Sequence, residues 1–349
     1  MTQRELPDFG TNAQTNTRAK RIFNLLSHIP TFLLRFIRLI IFVIVLSPAF
    51  CVFLWHYLSC DRIAIYYGDC RCDTSNSDGT TDGKSNATSC ATRCKSCQPF
   101  FSRHYLDIYG SSSPTRNKPV ILFLTGGAYI IGYKMWGTLL ARALSQHVLV
   151  IVPDYRNYPR VTVEGMVNDI DKSVEWVLRN AEEFGGDRNR VVMVGQSAGA
   201  HLGGIVVIKK VLDRLRRVQG LNGDADEHTP LTTNYEANHL RGFISTSSPH
   251  NLVLMKQVFH RHGLSCSIQS SIFGSSDNNG RDINGEDIFE KWSTFHLVKK
   301  CQGEYTSLSK KSVPGDVAGL SLKDLFPNLC VIHGTNDKTV SAFRCINTF

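Results

Sequence analysis

Two apolar rhythms divide this chain. The first is one unbroken run, LIIFVIVLSPAFCVFLWHYL, from Leu39 to Leu58, with no formal charge. A helix needs about 20 apolar residues to cross the hydrocarbon of a bilayer, so the run predicts a membrane-spanning segment within residues 35–60. Trp55 and Tyr57 stand at its far end, where an aromatic belt belongs, and Pro48 is tolerated inside such a helix. The run is long for a signal peptide and starts late in the chain. Residues 1–34 are polar and without period, and read as a tail. Arg35 and Arg38 precede the run and fewer cations follow it, so the positive-inside rule points the rest of the chain to the lumen.

The second rhythm begins at Tyr105 and repeats. PVILFLTGG from Pro119 is apolar throughout, as a strand covered on both faces is. Met135 to Gln146 has helical spacing. HVLVIVPDY from His147 is a second buried strand. From Val163 to Phe184 the apolar residues Met166, Ile170, Val174, Val177 and Leu178 keep a helical period, and Gly185-Gly186 ends it. RVVMVG from Arg190 predicts a third strand, Ala198 to Arg217 a helix, and LRGFIST from Leu240 and NLCVIHG from Asn328 two more strands. Strands and helices alternating at this spacing predict a parallel sheet with crossover helices. Segments 218–238 and 263–322 are polar and without clear period, and are expected as excursions above the sheet, where a lid would sit. Residues 61–104 read as a linker.

Inside that linker, residues 70–98 are rich in Ser, Thr, Asp and Gly and hold five of the eleven cysteines (Cys70, Cys72, Cys90, Cys94, Cys97). Only Cys94 and Cys97 have the C-x2-C spacing of a zinc knuckle, so a loop is preferred to a metal site. Asn86-Ala87-Thr88 is the one N-glycosylation sequon. The formal net charge of +9 comes from cations scattered along the chain, with no basic, aromatic-laced stripe. Nucleic acid is not expected as a partner; a solvated face or attraction to anionic lipid accounts for the charge.

The chemistry concentrates at Gly195-Gln196-Ser197-Ala198-Gly199. The motif follows one predicted strand directly and opens a predicted helix, the context of a nucleophile elbow. A turn that sharp leaves room only for small residues around the serine. It points the Ala198 amide and the helix N-terminus at a developing oxyanion. Thr125-Gly126-Gly127-Ala128 ends an earlier strand, where acyl-transfer enzymes place their second oxyanion donor. Asp337, in the loop after the last strand, fits the order serine, acid, histidine. His333 is rejected as the base because it precedes the acid, and His201 is expected to pack beneath the helix. His250 and His260 are lid candidates at best. Twelve residues follow Asp337 and none is histidine, so the base and a further strand and helix are expected beyond Phe349. The fold expected is α/β: an α/β-hydrolase domain over residues 105–349. Serine acyl transfer needs no metal and no cofactor.

Several longer stretches carry a resemblance. FLTGGAYIIGYKMWGTLL (Phe123 to Leu140), PDYRNYP (Pro153 to Pro159), FGGDRNRVVMVGQSAGAHL (Phe184 to Leu202), the HGTND element, and CDRIAIYYGD with RHYLDIYG before them are similar to the isoprenylcysteine α-carboxyl methylesterases. The likeness spans roughly residues 35–69 and 100–340. It implies hydrolysis of the methyl ester on a C-terminal farnesyl- or geranylgeranyl-cysteine, with prenylated protein as substrate and the endoplasmic reticulum or Golgi membrane as location. It implies Ser197 as nucleophile and Asp337 as acid, with Gly126, Gly127, Ala128, Gln196 and Ala198 binding the ester oxygen. The chain departs from the family pattern in the missing histidine, in Tyr129 where the family usually has Trp, and in the Cys-rich stretch. A cytosolic substrate conflicts with the lumenal placement, which leaves a hairpin, a second crossing or the opposite topology. A broader membrane-bound carboxylesterase or lipase, and a catalytically dead binding module, remain as alternatives.

Overall fold

The computed structural model describes residues 37, 40, 41, 44, 45, 47–68, 103–112, 115–218, 231, 233–275, 277, 280–310, 321–337 and 340. The polar tail, the Cys-rich stretch with Asn86, most of segment 218–238 and the last nine residues lie outside that set. The chain divides into two compact units, Met1–Ser59 and Cys60–Phe349. In the first, residues 47–59 are helical, with Phe50, Val52, Trp55 and Leu58 exposed. No helix among the described residues is long and apolar enough to cross a membrane. Leu39, Phe42, Val43 and Leu46 of the apolar run lie outside them.

Among the described residues, the second unit is built on one seven-stranded sheet: β1 (Arg62–Tyr66), β2 (Tyr105–Tyr109), β3 (Lys118–Leu124), β4 (Leu149–Pro153), β5 (Gly186–Gln196), β6 (Gly242–Thr246) and β7 (Asn328–Ile332). Their spatial order is β1-β2-β4-β3-β5-β6-β7. β1 and β2 pair antiparallel with each other, as β2 does with β4; every pairing from β4 to β7 is parallel. The apolar runs read as buried strands are therefore the parallel centre of the sheet, where helices on both faces exclude water. The antiparallel start was not legible as such, and residues 62–66, read as linker, form an edge strand.

Eight α-helices of this unit are described: α1 (Thr138–Leu144), α2 (Val163–Asn180), α3 (Ala198–Val218), α4 (Leu252–Arg261), α5 (Cys266–Phe273), α6 (Ile288–Lys291), α7 (Thr294–Lys310) and α8 (Leu322–Leu325). α2 buries Val163, Met166, Val167, Ile170, Val174 and Val177 against the sheet, each such side chain contributing about 1.5–3 kcal/mol by leaving water. A short 3-10 turn extends it to Phe184, and Gly185 closes it in the left-handed region at φ 85°. α1 covers the opposite face with Ala141 over Tyr109, Phe123, Val150 and Val152.

Segment 263–322, expected to be irregular, holds α5, α6 and α7. α7 buries Leu297, Cys301 and Leu308 in the main core, and its Glu304 pairs with Arg216 of α3 at 3.2 Å. Its apolar stripe is sparse because Lys, Gln, Glu and Ser fill the exposed positions, which hid the period. β7 closes the described sheet, and all five of its residues are exposed.

Candidate active site

The C-terminal ends of β3, β5, β6 and β7 share one edge of the sheet, and the residues singled out from the sequence lie along it. β5 stops at Gln196, whose side chain is exposed, and α3 starts at Ala198. Ser197 between them sits at φ 51°, a left-handed conformation that costs a non-glycine residue of order 1–3 kcal/mol. The turn tolerates no bulk on either side. A Cβ on Gly195 would lie 2.7 Å from the Ala200 amide nitrogen, and one on Gly199 would lie 2.6 Å from the Thr125 carbonyl oxygen. The Ser197 amide donates to the Thr246 carbonyl at 2.8 Å, which ties the elbow to β6. The amide of Ala198 belongs to the first turn of α3, where N–H groups have no intrahelical acceptor.

The 125–132 loop lies against this turn. A Cβ on Gly126 would be 3.0 Å from the Ser197 Cβ and from the Gln196 carbonyl oxygen, so a side chain there would press on the elbow. Gly127 (φ 139°), Ala128 (φ 49°) and Tyr129 (φ 66°) follow one another at positive φ. Three consecutive residues in that region coil the backbone tightly; the Gly127 carbonyl accepts the Ile130 and Ile131 amides, each at 2.9 Å. Tyr155 holds the start of the loop by donating its hydroxyl to the Thr125 carbonyl at 2.8 Å. Gly126, Gln196 and Ala198 thus adjoin Ser197, and Gly127 and Ala128 continue the loop from Gly126. An arrangement of small residues and first-turn amides about a hydroxyl can receive a carbonyl oxygen and stabilise negative charge on it.

Tyr129 is the loop's pillar. It is buried, and its hydroxyl lies 3.1 Å from His201 Nδ1, whose other nitrogen lies 2.8 Å from the Trp292 carbonyl. A carbonyl only accepts, so Nε2 carries the proton and Nδ1 accepts from the tyrosine. Burial, with a smaller contribution from the nearby His250, lowers His201 to about 3. It is a neutral packing residue, as the sequence suggested, and a Trp in place of Tyr129 would lack this hydroxyl.

Asp337 lies in the loop after β7, which is two strands from β5 in the sheet. Its Oδ1 accepts the Val340 amide at 2.9 Å, and Oδ2 is 3.8 Å from His333 Nε2. The His333 side chain is buried there and donates to the Val340 carbonyl at 2.6 Å. His250, expected at best in a lid, is instead buried in the core between Ser245 Oγ (3.2 Å) and Thr294 Oγ1 (3.0 Å). Burial, and then the field of His333, lowers it to about 4. Among the described residues, no imidazole hydrogen-bonds the Ser197 hydroxyl. Among them, too, no group of three or more His, Cys, Asp or Glu side chains could hold a metal ion; the Cys-rich stretch lies outside.

Sequence reasoning missed the polar frame behind the loop, although it quoted PDYRNYP. Arg103 grips Asp154 with two bonds of 2.9 and 2.5 Å. Arg156 and His104 both bind Asp169. Burial alone would raise Asp169, but the hydrogen bonds from His104 and Arg156 outweigh it and hold the carboxyl below its usual range. Acidic and basic residues at intervals of two in an apolar surround were the available signal.

A strand–serine–helix elbow on a mostly parallel sheet, faced by a glycine loop, defines an α/β hydrolase. The chain belongs to the BD-FAE family of that class, whose family model matches residues 106–302. It is 33% identical over 239 residues to a probable isoprenylcysteine alpha-carbonyl methylesterase of Oryza sativa subsp. japonica, covering 68% of this chain and 47% of that protein. It is 32% identical to an isoprenylcysteine alpha-carbonyl methylesterase of Arabidopsis thaliana, with the same coverage. A shorter stretch of 91 residues, 26% of this chain and 23% of the relative, is 34% identical to esterase LipC of Mycobacterium tuberculosis. The chain spans about half the length of the first two relatives.

Proposed function

We propose that this chain carries the nucleophile and oxyanion site of a serine esterase, and that its substrates are methyl esters of C-terminal prenylated cysteines. The observation that carries the reading is Ser197 at φ 51° with Gly126 packed on its Cβ: strain placed at one hydroxyl, beside amides able to take a carbonyl oxygen. Ser197 would attack the ester carbonyl, the amides of the 126–128 loop and Ala198 would hold the oxyanion, and Asp337 would orient the base. The names of the rice and Arabidopsis relatives support the prenylcysteine ester as substrate. A prenyl chain partitions into lipid, which agrees with a membrane-associated enzyme of the endoplasmic reticulum or Golgi.

A second reading, a module that binds the ester without cleaving it, is favoured by one observation: none of the described histidines reaches Ser197. The two are separated by incubating the protein with a fluorophosphonate probe in the presence of a farnesylcysteine methyl ester or a short generic ester. Labelling of Ser197, blocked preferentially by the prenylated ester, is expected. Equal blocking by both esters would leave a broader esterase, and no labelling at all would leave the binding module.

A further inference from the structure

The loop facing Ser197 holds three consecutive residues at positive φ, and something outside it must fix that shape. Gly132 is where the loop is fastened. Its backbone lies so close to Gly127 that a Cβ there would be 2.5 Å from the Gly132 Cα, and a Cβ on Gly132 would be 3.0 Å from the Gly126 carbonyl oxygen. Any movement of Gly132 is therefore transmitted to Gly126 and Gly127, and through Gly126 to Ser197. The Gly132 carbonyl accepts two side-chain donors: Arg103 Nη2 at 2.5 Å and Asn157 Nδ2 at 2.7 Å. Both donors are anchored elsewhere. Arg103 is paired with Asp154 just past β4, and the same Asp154 carboxylate accepts the Lys134 amide at 3.2 Å, two residues beyond the loop. Asn157 is buried four residues after β4.

We propose that Arg103 and Asn157 form a clamp on the Gly132 carbonyl that sets the position of the oxyanion loop relative to Ser197. They are positioning residues: neither touches the reacting atoms, and both act through the backbone of Gly132. The guanidinium suits the task because its planar fork reaches the Asp154 carboxylate and the carbonyl together, where an ammonium is a single point charge. The inference rests on the serine-esterase reading for its effect on rate, but not for its effect on the loop.

The test compares Arg103→Met, Arg103→Lys and Asn157→Leu with the unaltered chain by two measurements. The first is the rate at which a fluorophosphonate labels Ser197. The second is amide hydrogen exchange, at the Ile130 and Ile131 amides and in α2 as a reference for global folding. A loop displaced by about 1 Å is expected to slow labelling about a hundred-fold in Arg103→Met, with faster exchange at Ile130 and Ile131 and unchanged exchange in α2. Arg103→Lys should fall between the two. Asn157→Leu, which leaves the ion pair intact, should show the same pattern more weakly, and serves if Arg103→Met fails to fold. Labelling and loop exchange within two-fold of the unaltered chain in a folded variant would overturn the clamp. If the unaltered chain is not labelled, the esterase reading fails, and exchange at Ile130 and Ile131 alone decides the clamp.

Discussion

Two buried imidazoles make the stability of this fold depend on pH well above the range in which carboxylates titrate. His201 is lowered to about 3 and His250 to about 4, in each case first by burial. A histidine in the unfolded chain titrates near 6.5. The folded state therefore favours the neutral ring, and its contribution is whole above pH 6.5. Below that the unfolded chain binds protons that the folded one refuses, and stability drains away until each folded value is reached. Between pH 7 and pH 5 the loss is about 2 kcal/mol for each ring and about 4 kcal/mol for both. That is a large share of the 5–15 kcal/mol that holds a typical domain together. Urea unfolding followed by tryptophan fluorescence at the two pH values measures it, with Trp292, whose carbonyl His201 binds, as a local reporter. The comparison is with His201→Gln/His250→Gln, since glutamine can donate to the Trp292 carbonyl and accept from Tyr129 without titrating. The double variant should be less stable at pH 7 but lose about 4 kcal/mol less on going to pH 5. Equal losses in both proteins would refute the assignment of neutral buried rings.

Three further outcomes are expected. Ser197→Ala should abolish fluorophosphonate labelling; labelling that persists would place the reactive hydroxyl elsewhere. Gly199→Ala forces a methyl group against the Leu124 and Thr125 carbonyls and should destabilise by about 1–3 kcal/mol, read as a lower urea midpoint at unchanged slope. Lys210→Met strands Asp171, which is fully buried 3.4 Å from the ammonium. It should cost about 3–5 kcal/mol, whereas replacing the pair together by Met and Leu should cost much less, as a double-mutant cycle would show.

Much of the parallel half of the fold was legible. The runs at Pro119, His147 and Arg190 are apolar through their centres, as a strand covered on both faces is, and they became β3, β4 and β5. The elbow was legible because sterics leave so few residues possible around Ser197. The Gly126–Ala128 loop was legible for the same reason. What stayed hidden depends on partners distant in sequence. β1 is a strand because Ile63 faces Ile108 and Ile65 faces Leu106, partners distant in sequence, and nothing local announces that. α7 looked like loop because the apolar residues on its inner face, Leu297, Val298, Cys301, Tyr305 and Leu308, are spaced among Lys, Gln, Glu and Ser. Arg103 and Asn157 were missed because their acceptor is a backbone carbonyl, which every residue has. His250 read at best as a lid candidate, whereas Ser245 and Thr294, from β6 and α7, satisfy both its nitrogens in the core.

The bond from the Ser197 amide to the Thr246 carbonyl also bears on how the protein is made. Synthesis is vectorial, and at roughly 5–20 residues per second the ribosome takes about 2–10 seconds to travel from one residue to the other. For that interval the elbow has Gly195 and the start of α3, but its strained serine lacks the neighbour that anchors it. A nascent chain is thus expected to carry the sequence of the site before it carries the site. Arrest of translation before β6 should yield chains whose serine is present and unreactive.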